Sequence, residues 1–425
     1  MKENLHLNST VKKVLFYSIL STIFLHFLKD TYILYYFILI LIVAISFIYL
    51  IYEYFFIRQK NNYSNKILVI TFILSFIYVG IISIIYQERW DHSNFDLLIS
   101  FGRLFIAPVM LILLLGLVQK PRDITNSLNL YVAIFILAFL SLLLQNIVGH
   151  LYIFGIDIYD GNDLTTSRYG IVGYSSIIGS VTSYGVCFST AVFIIYFKLH
   201  LHPYIKGLLI SLIYLGAILT TSKAGFINIF LSFFLMTLFL NKNQNFKVLS
   251  SVLFFMIMAF LFVPVINSGV LGIYVNTTGH EILGVVKRND IYIPILDRAF
   301  NRAFYTFDAG LFTSIKDYIF GIGVFGGGGV FKSSYTGTYH NSYFDIYTIG
   351  GLFFLITTII VFSHNLYNLF NTYIKRDDQL ALCFLLSNSL LFFNMLFFNG
   401  AIFHPLISFS FWISLIYLFK FKNLS

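Results

Sequence analysis

Charge is scarce in this chain. Only 11% of the 425 residues are Asp, Glu, Lys or Arg, well under half the share of an average soluble domain. Cysteine is scarcer still. Cys187 and Cys383 stand alone inside apolar runs, so neither a disulfide framework nor a Cys-based metal site can be drawn. Long repeats and low-complexity linkers are missing too, which leaves residues 1–425 as a single domain. The net charge of +9 is not gathered on any one stretch. It is scattered over short polar segments, which excludes a nucleic-acid partner. Lys12 and Lys13 before an apolar run mimic a signal peptide, but Lys29-Asp30 follows instead of a small-residue cleavage site. The segment therefore reads as a retained first helix.

What is abundant is apolar surface. Hydrophobic residues make up 58% of the chain and aromatics 19%, with 50 Phe and 30 Tyr. A soluble domain cannot hide that much, so the solvent is expected to be lipid. Tyr suits the headgroup level, where one end of the ring is wet. A membrane span needs about 20 apolar residues. Twelve runs qualify: 14–28, 31–52, 67–86, 97–118, 130–148, 169–197, 204–220, 222–240, 247–266, 342–365, 380–398 and 400–420. The expected fold is an all-α polytopic membrane domain.

The run 207–240 is too long for one span. Its 34 residues would make a helix of about 51 Å, against a hydrocarbon core of about 30 Å. A lysine at the bilayer centre costs on the order of 3 kcal/mol. "TTSKAG" (220–225) lies near the middle, so two helices are expected, with Lys223 at the bend.

Basic residues give the orientation. With both termini in the cytoplasm, sixteen Lys and Arg fall on the inner side and five on the outer side, outside one long loop, 267–341. Short-loop bias of this size marks the cytoplasmic face. The loop 267–341 then faces outward and is the one segment with room for an extramembrane site.

Within that loop, Pro294 to Ile319 reads as an amphipathic helix. Pro294 suits a first helical position. Ile295, Ala299, Ala303, Phe307, Leu311 and Ile315 recur at spacings of four, while Arg298, Arg302 and Tyr305 share another face. "GIGVFGGGGV" (321–330) spells G-x-G-x-x-G. The dinucleotide fingerprint needs a preceding strand in a βαβ unit, so a tight turn is the expectation. "GTYHNSYFDIYTIGG" (337–351) then returns to the membrane. His340 and Asn341 stand at the border, with Tyr339 and Asp345 close by, and no second histidine lies at metal spacing. No metal or cofactor is expected.

An ordered set of motifs runs through the chain: Arg168 followed by "YGIVG", then "TTSKAG", then Arg302 some nineteen residues before "GIG", then "HNSY" and "IGGLFFL". This order resembles the bacterial O-antigen ligase and O-antigen or capsule polymerase superfamily over roughly residues 160–360. The resemblance implies a GT-C-like, metal-independent, inverting glycosyltransferase of the inner membrane with an extracytoplasmic site. The donor it implies is a glycan on undecaprenyl pyrophosphate. Arg168 and Arg302 match the pyrophosphate-binding arginines, and His340 matches the residue that activates the acceptor. Lys223 stands where the family usually has Arg, keeping the charge but losing the bidentate fork. Arg298, Asn341, Asp345 and Tyr339 are the supporting candidates.

The chemistry fits those residue types. Preorganised cations stabilise charge that grows on a departing pyrophosphate, and an imidazole accepts a proton near neutral pH. The implied partners are the lipid-linked oligosaccharide, membrane lipid, a chain-length regulator and a flippase. A repeat-unit polymerase is the favoured reading. A ligase acting on lipid A–core is the alternative, and a lipid-linked oligosaccharide flippase is the reading from another class.

Overall fold

A computed structural model describes residues 2–24, 41–42, 44–46, 48, 64–86, 94–148, 152–153, 156–157, 165–168, 171–174, 176–178, 181–220, 222–239, 247–254, 274–275, 291–292, 312–323, 341–396 and 401–421. Most of the described chain is helical. The helices are α1 (Lys2–Phe24), α2 (Ser64–Ile85), α3 (Asn94–Leu117), α4 (Pro121–Val148) and α5 (Val181–Phe193), which a π turn prolongs over Ile194–Lys198. They continue with α6 (Pro203–Leu219), α7 (Lys223–Leu238), α8 (Ile315–Phe320), α9 (Ser342–Arg376), α10 (Gln379–Asn394) and α11 (Phe409–Lys420). The expected span 31–52 lies almost wholly outside the described residues, as does most of 247–266.

The described chain is compatible with the all-α expectation, with small additions in the polar connections. Three short antiparallel strand pairs are present: β1 (Tyr152–Ile153) with β2 (Ile156–Asp157), β3 (Thr165–Arg168) with β4 (Ile171–Tyr174), and β5 (Tyr274–Val275) with β6 (Ile291–Tyr292). They fall in the polar connections after Val148 and before Phe312. The expected span 169–197 also starts too early. Residues 171–174 pair with β3, Ser176–Ile178 form a 3-10 turn, and the helix begins at Val181. Gly179 and Ser180 stand just before it, and neither favours a helix interior.

The bend expected at 220–225 is present. Tyr214 Oη lies 2.8 Å from Ser232 Oγ, whereas one continuous helix would hold those residues about 27 Å apart. Thus α6 and α7 form a hairpin, and the Ser222 side chain caps α7 by accepting from Gly225 N–H. Buried tyrosines tie the neighbouring helices, Tyr184 donating to the Ile213 carbonyl and Tyr131 to the Cys187 carbonyl, both at 3.1 Å. A fully buried hydroxyl needs such a partner.

Among the described residues two helical stretches are long and apolar enough to cross a membrane, Pro121–Leu144 and Ser342–Arg376. Shorter apolar helices pack around them. Their outward faces are apolar as well. Ile70, Leu74, Ile77, Ile81 and Ile84 make an exposed stripe on α2; Phe353, Ile356, Ile360 and Tyr367 do so on α9; Phe230, Phe234 and Leu238 do so on α7. Exposed apolar stripes on several helices suit hydrocarbon, not water.

Contacts sort the turns onto two ends of the bundle. At one end Lys420 Nζ donates to the Val118 carbonyl (2.6 Å), Lys206 Nζ to the Tyr196 carbonyl (3.0 Å), and Tyr417 Oη to Asp378. This is the lysine end. At the other, Tyr86 at the close of α2 meets Asp317, Ser342 meets Met395 and Ala401, and Asn228 meets Gly185 and Asn394. This is the glycine end.

Candidate functional site

The glycine end is built on a broken helix. α9 runs from Ser342 to Arg376, but Gly350 and Gly351 leave helical geometry, and Gly351 has φ 61°. A break of this kind frees carbonyls at the end of the first segment, and buried carbonyls need partners. The "GIG" turn supplies them. Ile322 N–H donates to the Thr348 carbonyl and Gly323 N–H to the Ile349 carbonyl, both at 2.9 Å. The fit requires glycine on both sides. A Cβ on Gly321 would lie 2.5 Å from the Ile349 oxygen and 2.6 Å from Gly350 N. A Cβ on Gly351 would strike the Ile319 carbonyl. Two motifs that are 28 residues apart in sequence, "GIG" and "IGG", are therefore one interlocked unit.

Asp317 holds that unit in place. Its carboxylate is fully buried and accepts from Thr313 N–H (2.9 Å), Thr313 Oγ1 (3.1 Å), Ser314 N–H (3.0 Å) and Tyr86 Oη (3.0 Å). Ser314 and Asp317 form a capping box that starts α8. The amphipathic helix expected over Pro294–Ile319 is thus corrected. It cannot run through residues 312–314, because a new helix with its own cap begins at Ile315. The signal was legible as Ser-x-x-Asp before an apolar run, but the four-residue spacing of apolar positions carried across it.

Asn341 and Asp345 are also placed. Asn341 is buried, and its Oδ1 accepts from Tyr343 N–H (3.0 Å) and Phe344 N–H (3.3 Å). It is the N-cap of α9, so that oxygen serves the helix. Asp345 is fully buried in the first turn of α9, its N–H donating to the Asn341 carbonyl at 3.1 Å. Ser342 fastens the same turn. Its N–H donates to the Met395 carbonyl at 2.7 Å and its Oγ accepts from Ala401 N–H at 2.9 Å. Residues 401–408, expected inside the span 400–420, are turns, and α11 begins only at Phe409. Pro405 lies within that stretch; it lacks an N–H and disfavours helix at the residue before it.

The "TTSKAG" bend reaches this site through asparagines. Asn228 Nδ2, one turn and a half beyond Lys223, donates to Asn394 Oδ1 at 3.0 Å and to the Gly185 carbonyl at 2.8 Å. Asn394 Nδ2 returns a bond to Asn228 Oδ1 at 3.2 Å. Asn394 ends α10, directly before Met395, whose carbonyl holds Ser342. The bend itself nests on α5, where a Cβ on Gly185 would lie 2.6 Å from Ser222 Oγ. Arg168 closes β3 opposite Ile171. The strand pair leads through Ser176–Ile178 into the start of α5, and Ile177 N–H donates to Ser141 Oγ at 3.0 Å.

The backbone of Lys223 and the whole of Asn341 and Asp345 are therefore brought to the glycine end, and Arg168 ends the strand whose partner, β4, precedes α5. His340, Tyr339, Arg298 and Arg302 lie outside the described residues. Sequence reasoning missed Asp317, Tyr86, Asn228 and Asn394. Each is a polar residue in or beside an apolar run, and each turns inward to a named partner. Among the described residues no three His, Cys, Asp or Glu side chains gather as a metal site. Compared with known proteins, the chain matches no family model, no curated protein and no solved structure.

Proposed function

We propose that this protein is a membrane-embedded, inverting glycosyltransferase that polymerises oligosaccharide repeat units carried on undecaprenyl pyrophosphate. The observation behind this reading is the gathering of the motifs. "YGIVG", "TTSKAG", "GIG" and "HNSY…IGG" are scattered over nearly two hundred residues, yet their described parts all lie at one end of the helical bundle. Charge supports an outward-facing site. Lys120, Arg122, Lys198, Lys206, Lys375, Arg376 and Lys420 belong to the lysine end, which the positive-inside bias assigns to the cytoplasm.

In this reading the His340 imidazole takes the proton from an acceptor sugar hydroxyl as its oxygen attacks the anomeric carbon. The bond from that carbon to the pyrophosphate oxygen breaks, and the lipid pyrophosphate leaves with the electron pair. Arg168, Lys223 and Arg302 offset the charge that grows on it. A ligase reading uses the same steps with lipid A–core as acceptor.

A flippase reading fits less well. Discontinuous helices in transporters turn free backbone groups toward the substrate. Here the freed carbonyls are taken by the "GIG" turn, and the first N–H groups of α9 by Asn341. The test uses purified protein in lipid vesicles supplied with a lipid-linked oligosaccharide. The expected products are longer glycans with inverted anomeric configuration and one free undecaprenyl pyrophosphate per bond formed. Translocation of intact donor with no new glycosidic bond would sink the proposal.

A further inference from the structure

The polarity of α8 is inverted. Its acid, Asp317, is buried, while Ile315 (76% exposed), Tyr318, Ile319 and Phe320 (44%) point outward, together with Lys316 near the start of the helix, whose long stem lets its charge reach the surface. A helix lying on a water-facing loop would turn the apolar ones the other way. Contacts with α2 measure where α8 sits. Asp317 is bonded to Tyr86, one residue beyond α2, while Tyr78 Oη donates to the Phe320 carbonyl at 2.9 Å. Tyr78 is eight residues back from Tyr86, about 12 Å along the helix. Long side chains on a helix lean toward its N-terminus, so Tyr78 reaches further from the glycine end, not back toward it.

The break in α9 lies at the same level, since a Cβ on Gly350 would come 2.8 Å from Val79 Cγ2. The chain then climbs again. A Cβ on Gly323 would lie 2.6 Å from Ser83 Cα. α8 therefore descends beside the last two turns of α2, reverses at Gly321, and returns.

α2 itself has 22 residues, about 33 Å, close to the hydrocarbon thickness of about 30 Å. A segment two turns below its end lies inside the apolar layer. Both requirements for backbone at that depth are met. The irregular residues Gly321, Ile322, Gly323, Gly350 and Gly351 are buried in protein, as non-helical backbone in a membrane must be. The outward side chains of α8 continue the exposed stripe of α2 at Ile77 and Ile81 and that of α9 at Leu352 and Phe353.

We infer that α8 and the "GIG" turn are a re-entrant element: the long outer loop dips into the bilayer, and the exposed face of α8 contacts lipid hydrocarbon. This stands on placement alone and does not rest on the glycosyltransferase reading. Its consequence is that the glycine end is anchored below the membrane surface.

The test is spin labelling in lipid nanodiscs. Cys187 and Cys383 are buried, so a cysteine introduced at Ile315, Ile319 or Phe320 carries the label alone. Oxygen concentrates in hydrocarbon and a polar nickel chelate in water. Labels at Ile319 and Phe320 are expected to favour oxygen as a label at Ile81 does, with Ile315 shallower, and a label at Arg122 is expected to favour nickel. Nickel-favouring labels at Ile319 and Phe320 would overturn the inference in favour of a water-facing loop. Labels shielded from both reagents would overturn it in favour of a protein partner. Neither result depends on catalysis.

Discussion

The two ends of the bundle are closed in different ways. At the lysine end the described turns are short, and single side chains hold them. Asp123 accepts from the Gln119 and Lys120 N–H groups, Asp378 caps α10, and Lys206 and Lys420 each bond one carbonyl. At the glycine end a break in one helix is filled by a turn from another segment, and a buried carboxylate with four donors holds that turn. Regular helix ends need only caps. Irregular backbone below a membrane surface needs a designed partner for every polar group. The difference marks the glycine end as the place where the fold sustains buried irregular backbone, and functional residues often sit on such segments held by a rigid scaffold.

The strongest way to break that contrast is at the histidine. His340→Ala is expected to lower glycan extension by about 10² to 10⁴-fold, the usual worth of general-base help, with insertion and accumulation of the protein unchanged. The measurement is the length and amount of the polymer ladder. An undiminished ladder would make the imidazole an anchor and leave the glycine end with no catalytic base.

Next is the carboxylate that secures the turn. Asp317→Ala takes the buried acceptor away from donors on Thr313, Ser314 and Tyr86, which are themselves exposed or half-buried, at a cost of about 2 kcal/mol. Thermal unfolding in detergent should show a marked drop in midpoint, with Tyr86→Phe, which removes one of four donors, falling in between. Gly351→Ala should act like Asp317→Ala, because a Cβ there meets the Ile319 carbonyl at a positive φ. If both variants melt like the parent, the interlock is not what holds this end.

A smaller effect separates the two arginines of the loop. Arg302→Lys keeps the charge and loses the paired N–H geometry. It is expected to cost about tenfold in turnover, roughly 1.4 kcal/mol in transition-state stabilisation. Arg298→Lys should stay near the parent. Equal tolerance at both would favour headgroup anchoring for the pair.

Much of this architecture is readable from residues, and the unread part has one physical cause. The α6–α7 hairpin follows from length alone, since 34 apolar residues around Lys223 overshoot a bilayer. Helix boundaries set by a strong polar cap, such as Asn341 before α9 and Asp378 before α10, lie close to the expected span limits. The break at Gly350-Gly351 does not announce itself, because two glycines inside an apolar run fit an uninterrupted span equally well. Only the partner turn, 28 residues earlier, makes a break affordable at that depth. Asp317 was legible as the acid of a Ser-x-x-Asp cap, and only its distant tie was hidden. Its worth lies in Tyr86, 231 residues away, and spacing within a segment cannot show that.

The smallest effect belongs to the lysine end. Lys420 Nζ donates to the Val118 carbonyl from a half-buried position, joining the close of α11 to the turn after α3. A bond from a charged group in reach of water is worth about 1 kcal/mol. Lys420→Met keeps the apolar stem, which packs along the helices, and removes only that bond. Unfolding should shift slightly and glycan length should be unchanged, because no irregular backbone depends on this contact. The comparison with Asp317→Ala is the sharper quantity. Both substitutions delete one side chain that ties distant segments, and only one of those ties holds a broken helix shut. If Lys420→Met shortened the glycan as deeply as Asp317→Ala, the site would not be local to the glycine end, and the asymmetry between the ends would carry no functional meaning.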